Sequence, residues 1–360
     1  MYISKKVSKK RFSEPGGDLK VGIIAGIGFL LGVLVTISVT LAIFYSQPTL
    51  TIKALRQSDI APDPADPLID PIIGMQSSQV DSPDYAELQN QVELYITKQQ
   101  KSDGLIVASV KFGDLEKGEG FIVDTEDQYN PASLAKVPIM MAYYEIAEND
   151  PSILTQELTY SGGEDLNDVE EVRSPIQLTP GQSYTVEQLV EHMIRYSDNN
   201  AAQMLLTNLE TTNQYSVFTS LLSSLGVNLG PSDMATDSLT VESYSIFFRV
   251  LYNATYLDRD YSEKALTLLT ETDFTQGLDV GVPNEVMIAQ KFGEGKIAGT
   301  NGVIIANELQ DCGIVYYPNH PYLLCIMTKG DTLPNLETTI GGISHIVYQD
   351  METRYPSSDD

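Results

Sequence analysis

Three short stretches of this chain carry residue types that could do chemistry together. Ser133 and Lys136 stand three residues apart at the head of an apolar run, Ile139 to Ile146, so one helical face would present both. A serine hydroxyl is a weak nucleophile until a base takes its proton, and a lysine buried among apolar residues can be that base. At a helix N-terminus the backbone N–H of Ser133 would also face a developing oxyanion. Ser-x-x-Lys alone is common and also fits a helix start with a solvent lysine. The second stretch, Ser197-Asp198-Asn199, lies 64 residues further on, between two apolar helical patterns. A hydroxyl there can relay a proton, and a carboxamide can hold an amine or an amide. Plain helix capping is its competing explanation. The third, Lys291-Phe292-Gly293, falls on a strand pattern. Its lysine would bind a carboxylate, and its glycine would let another backbone approach. An edge lysine that discourages aggregation is the plainer alternative.

The elements that must position these residues follow from periodicity. Tyr85 to Lys98 has helical spacing, with Leu88, Val92, Leu94 and Tyr95 on its apolar positions. Strand patterns follow at Leu105 to Phe112 and Gly120 to Asp124. Residues 132–270 are mostly helical in pattern. Three strands come next, at Val286 to Gly293, Gly313 to Tyr317 and Tyr322 to Thr328, and Leu336, Ile340, Ile343 and Val347 mark a closing helix weakened by Gly341-Gly342. This order predicts an α+β fold: a five-stranded antiparallel sheet flanked by terminal helices, with an all-α subdomain inserted.

Charge and composition narrow the partners. The 360 residues carry a net charge of −27. The first twenty hold six Lys or Arg against two Asp or Glu, which leaves about −31 on the rest. Such a surface repels phosphate backbones, so nucleic acid is excluded as a partner. His192, His320, His345, Cys312 and Cys325 are scattered, so no metal or other cofactor is expected. The cysteines flank a turn at Pro318 to Pro321, where a disulfide is geometrically open; the reading adopted is two small buried hydrophobes.

Val21 to Tyr45 contains no charged residue, long enough at ~1.5 Å per residue to cross a ~30 Å hydrocarbon core. The basic tail 1–20 places that end in the cytoplasm and the remainder outside the cell membrane. Tyr45-Ser46-Gln47-Pro48 is a poor cleavage site, which favours an uncleaved anchor over a signal peptide. Residues 46–83, rich in Pro and Asp, read as a semi-rigid stalk on which Leu68-Ile69 and Ile72-Ile73 are apolar enough to dock. The globular domain spans 84–355 and leaves a short tail at 356–360.

Taken together and in order, Ser-Leu-Ala-Lys, Ser-Asp-Asn and Lys-Phe-Gly resemble the S-x-x-K, S-D-N and K-T-G set of class A β-lactamases and penicillin-binding proteins. Tyr184 to Leu189 leading into Ser197, and Gly281-Val282-Pro283 before Lys291, strengthen the resemblance. It implies a β-lactamase/transpeptidase-like fold and an acyl-enzyme at Ser133, with a β-lactam or a peptidoglycan-type D-Ala-D-Ala peptide as substrate. It makes Lys136 the base, Ser197 the relay of the leaving-group proton, and Asn199 the holder of Lys136 and of the substrate amide. Lys291 supports Ser197 and the substrate carboxylate. The N–H groups of Ser133 and Glu294 form the oxyanion hole, and Asp198, Phe292 and Gly293 line the substrate site. Two departures stand out. Phe292 replaces a hydroxyl residue, and its ring either fills the cleft or, by strand alternation, points away. Leu225 to Thr240, where the family keeps a deacylating Glu, contains none, only Asp233 and Asp237. Slow deacylation is therefore expected. The alternative is a catalytically weak or inactive cell-surface binding module on the same scaffold.

Overall fold

The computed structural model describes residues 66–70, 82–227 and 238–356. The anchor at 21–45, the basic tail, most of the stalk and most of the C-terminal tail lie outside the described residues. Among the described residues no helix is long and apolar enough to cross a membrane.

Helix α1 (Ala86–Ser102) leads into β1 (Leu105–Asp114) and β2 (Gly120–Val123). A long insertion follows. It holds α2 (Lys136–Ala147), the short pair β3 (Glu157–Thr159) and β4 (Ser183–Thr185), and α3 (Val186–Arg195). It continues through α4 (Asn199–Thr211), α5 (Tyr215–Ser224), α6 (Val241–Tyr252) and α7 (Arg259–Leu269). The chain then returns to the sheet as β5 (Ile288–Ala298), β6 (Ile304–Val315) and β7 (Tyr322–Gly330) and closes with α8 (Leu333–Arg354). The sheet is five-stranded in the order β2-β1-β7-β6-β5, and every pairing is antiparallel.

Strand β7 shows why the sheet is buried on both faces. Leu323, Cys325 and Met327 pack toward the helical insertion, while Leu324 and Ile326 between them pack toward α1 and α8. Alternate side chains of one strand thus feed two cores, so the strand reads as an unbroken apolar run. On the second face Leu88, Val92 and Ile96 of α1 meet Leu336, Ile340, Ile343 and Val347 of α8. Gly341-Gly342 does not end α8. A Cβ on Gly342 would stand 2.0 Å from the Tyr95 hydroxyl oxygen, so the missing side chain lets α1 cross α8 closely.

Helix α2 is buried almost all round and forms the axis of the inserted subdomain, with α3, α4, α5 and α7 about it. Upstream, Leu68 and Ile69 are buried, and Asp70 N–H donates to the Tyr252 carbonyl at 2.8 Å. Ile72 and Ile73 lie outside the described residues.

Two expectations need correction. Strand β6 starts at Ile304, nine residues ahead of Gly313, because its polar residues find tertiary partners: Glu308 accepts from Asn130 N–H at 3.2 Å, and Asp311 accepts from Leu278 N–H at 2.9 Å. Cys312 and Cys325 are not free thiols. They sit directly opposite on β6 and β7 with Cα atoms 3.9 Å apart and form a disulfide. The register of the hairpin, invisible to a spacing argument, brings them together.

Candidate active site

The nucleophile candidate does not sit in the α-helix itself. Ala132–Ala135 forms a 3-10 turn that runs into α2, so Ser133 lies just ahead of the helix and Lys136 is its first residue. Ala132 has φ +46°, a left-handed conformation that costs a non-glycine residue about 1–3 kcal/mol. Its N–H is held by the Asn130 side-chain oxygen at 2.8 Å. Ser197 is likewise left-handed, at φ +53°. Both strained residues adjoin reactive side chains.

Lys136 Nζ lies 2.6 Å from Ser133 Oγ, 2.6 Å from the Ser197 carbonyl oxygen, 3.1 Å from Ser197 Oγ and 2.6 Å from Asn199 Oδ1. Lys291 Nζ lies 2.9 Å from Ser197 Oγ and 3.1 Å from the Phe292 carbonyl oxygen. The five residues named for catalysis from three separate stretches therefore converge on one pocket. Burial lowers the Lys136 pKa to about 8, against the opposing pull of Glu170, Asp198 and Glu294. Burial, reinforced by the charge of Lys136, also holds Lys291 well below the usual lysine range. A neutral Lys136 matches its partners. In the neutral form its two N–H bonds can serve the Ser197 and Asn199 carbonyl oxygens, which only accept, and leave the lone pair for the Ser133 hydroxyl; in the charged form Nζ donates to Ser133 Oγ instead.

The edge of β5 meets the turn that carries Ser133. A Cβ on Gly293 would stand 3.2 Å from the Leu134 backbone nitrogen, so a bare glycine permits the approach. Glu294 follows on the same strand. Tyr244 steadies the turn from α6 by donating to the Leu134 carbonyl at 3.0 Å.

Two residues expected to line the substrate site also do structural work. Asp198 is 2% exposed, and its carboxylate accepts from Asn200 N–H at 2.8 Å, Ala201 N–H at 3.2 Å and Asn167 Nδ2 at 3.2 Å. It caps α4 and so orients Asn199. Phe292 is 3% exposed and stacks on Phe274 with ring centroids 4.0 Å apart. The ring joins the core beneath the sheet, supplies no hydroxyl, lies 4.3 Å from Lys291 Nζ at its centroid, and with Phe274 and Tyr196 lines a cavity.

A contributor that sequence reading missed is Glu170. It comes from the 163–177 loop, ahead of Ser-Asp-Asn, whereas only the stretch after Ser-Asp-Asn was expected to supply a glutamate. Residues 228–237 of that later stretch lie outside the described residues. Asn199 Nδ2 donates to Glu170 Oε1 at 2.9 Å and to the Leu166 carbonyl at 3.1 Å. Glu170 also hydrogen-bonds the Glu294 carboxyl, whose pKa rises to about 8 through burial and this carboxyl neighbour. The 163–177 loop has no hydrophobic period, and no local signal marks Glu170 out. Only the amide of Asn199, which needs acceptors, hints that something must face it.

A family model described as the beta-lactamase enzyme family matches residues 87–351. The chain belongs to that family. Its fold is shared by the solved structure of PBP-A, at 22% identity and a TM-score of 0.60, over 74% of this chain and 97% of that one. A class A β-lactamase from Bacteroides cellulosilyticus is similar at 18% identity and a TM-score of 0.60, over 74% of this chain and 99% of that one. One from Mycobacterium abscessus is similar at 21% identity and a TM-score of 0.59, over 73% and 99%. A search of curated proteins finds no match. Among the described residues no group of His, Cys, Asp and Glu side chains is arranged to hold a metal ion.

Proposed function

We propose that this protein forms an acyl-enzyme at Ser133 with a β-lactam or a D-Ala-D-Ala-type peptide. The observation that carries the reading is the position of Lys136 Nζ, 2.6 Å from Ser133 Oγ with its other contacts satisfied. In the first step Ser133 Oγ attacks the carbonyl carbon while its proton passes to neutral Lys136. The backbone N–H groups of Ser133 and Glu294 receive the oxyanion. As the C–N bond breaks, the leaving nitrogen takes a proton from Ser197 Oγ, which Lys136 and Lys291 contact from two sides and resupply. Support from a relative is direct for the chemistry alone: a mutant of PBP-A was solved as an acyl-enzyme complex with penicillin G.

The second step is slow in this reading. The stretch Leu225 to Thr240 has no glutamate, and Glu170 is engaged by Asn199 and Glu294. Fluorescent penicillin should label wild type and leave Ser133→Ala unlabelled, with negligible steady-state hydrolysis of a chromogenic cephalosporin. Equal labelling of Ser133→Ala would overturn the acyl-enzyme; rapid hydrolysis would overturn slow deacylation. A binding module without turnover is the second reading, favoured by the buried Phe292 ring where the family keeps a hydroxyl. Absence of any covalent label on wild type would select it.

We also read the chain as anchored through residues 21–45, with the hydrolase domain outside the cell. The uncharged run, its basic flank and a disulfide suited to an oxidising compartment support this. Protease treatment of intact cells should shave off the domain; full protection would refute the orientation.

A further inference from the structure

Two polar side chains of β6 grip the turn that carries Ser133. Asn130 opens that turn. Its backbone N–H donates to Glu308 Oε2 at 3.2 Å, and its carbonyl oxygen accepts from Gln310 Nε2 at 3.3 Å. Its side-chain oxygen in turn holds the N–H of Ala132, the left-handed residue just before Ser133. Both backbone polar groups of Asn130 are thus fixed from the sheet, and its side chain passes the constraint on to Ala132.

Two glycines of β5 let the grip reach across. Gln310 and Glu308 are the cross-strand partners of Gly293 and Gly295, so all four lie on one face of the sheet. A Cβ on Gly293 would stand 3.1 Å from Gln310 Oε1. One on Gly295 would stand 3.3 Å from Glu308 Oε2 and 4.0 Å from Asn130 Cβ. Side chains at 293 and 295 would therefore crowd the two β6 residues away from Asn130. Glu308 and Gln310 are both buried, so these are interior contacts. Gln310 Oε1 meets no hydrogen-bond donor among the described residues, an unfavourable state for a buried amide oxygen. Stability alone does not call for an amide there, since a methionine would fill similar space without that penalty.

The grip touches both backbones that must serve one oxygen. The oxyanion site assigned above uses the N–H groups of Ser133 and Glu294. The dihedral angles of Ala132 set the direction of the first, and Glu294 lies between Gly293 and Gly295 on β5. Resting on the acyl-enzyme reading, we propose that Gln310 and Glu308 are positioning residues for the oxyanion hole: by fixing Asn130 against β5 they hold Ala132 left-handed and keep the Ser133 and Glu294 N–H groups aimed at one point. Neither side chain touches substrate. Without the Gln310 donor the Asn130 carbonyl is released and Ala132 relaxes toward the ordinary backbone regions. The Ser133 N–H then swings away from the place where charge develops. The oxyanion forms only on attack, so the loss falls on the saturated acylation rate and not on binding.

Fluorescent penicillin labelling of the full-length chain, measured over a range of probe concentrations, separates rate from binding. Gln310→Met keeps the bulk and removes the donor. It should lower the saturating rate constant by roughly tenfold to a hundredfold, with the half-saturating concentration within about twofold of wild type. The midpoint of its pH profile should match wild type, because the contacts of Lys136 are untouched. Glu308→Leu should act likewise, and Glu308→Gln, which keeps an acceptor for the Asn130 N–H, should recover most of the rate. Asn130→Ala already breaks the link to Ala132, so adding Gln310→Met to it should cost little more. Wild-type saturating rates in both Gln310→Met and Glu308→Leu overturn the positioning role and leave the acyl-enzyme standing. So does a loss that Glu308→Gln fails to recover and that follows the melting temperature. No Ser133-dependent adduct on wild type overturns the acyl-enzyme and the positioning role together.

Discussion

Lys291 Nζ stands 2.9 Å from Ser197 Oγ. This contact joins the sheet to the joint between α3 and α4 and gives the Ser197 hydroxyl a second amine besides Lys136. If that hydroxyl relays the leaving-group proton, Ser197→Ala should slow penicillin labelling by about 10²- to 10⁴-fold. The Ser133–Lys136 contact does not depend on the hydroxyl, so the melting temperature should stay within a few degrees of wild type. Stopped-flow labelling and a thermal melt check both halves. Unchanged labelling would remove Ser197 from the reaction.

The Lys136 pKa of about 8 sets a pH profile. Only the neutral amine can take the Ser133 proton, and about a tenth of it is neutral at pH 7. Acylation should therefore climb with pH and level off above about 9, roughly tenfold faster there than at pH 7. Below pH 7 each unit should cost another factor of about ten. A profile measured with saturating fluorescent penicillin tests this. A rate that is flat between pH 6 and 9 would show that Lys136 is not the titrating base.

Much of this architecture is legible in the chain because period and motif agree. Leu88 and Val92 on α1, and Leu336 to Val347 on α8, declare their buried faces by spacing alone, whereas Leu94, placed with the first pair, is exposed. Ser133 and Lys136 share a face once the segment is helical. What escaped depends on contacts between distant stretches. Glu170 reaches Asn199 across a loop without periodicity, and the middle of β6, with Glu308 and Asp311, looks too polar for a strand until Asn130 and Leu278 are seen as their partners. The Cys312–Cys325 bond follows from a register that spacing cannot give. Phe292 was ambiguous for a sharper reason: alternation offers two faces, and its stacking partner Phe274 comes from a distant stretch.

The Phe274–Phe292 stack yields a stability prediction. Phe292→Thr restores the hydroxyl residue of the family's third motif, but it removes a buried ring from a packed layer. The loss should be about 3 kcal/mol, in the range for truncating a buried aromatic residue. Urea titration of the two proteins measures it. A difference below ~1 kcal/mol would mean that the ring contributes little to the core.

The disulfide gives a prediction that is independent of any activity. Cys312 and Cys325 are 13 residues apart in sequence, and a loop of about that length gains up to ~3 kcal/mol from cross-linking in the unfolded chain. The β6–β7 pairing already holds the two strands together in the native sheet, so reduction should weaken the domain and not abolish its fold. Under non-reducing denaturing conditions no free thiol should react with a maleimide, and two should react after reduction. The double substitution Cys312→Ala with Cys325→Ala should lower stability by about 2–3 kcal/mol in denaturant titration, because it removes the cross-link and leaves two small side chains in a fully buried layer. Two reactive thiols in the untreated, oxidised protein would contradict the bond directly.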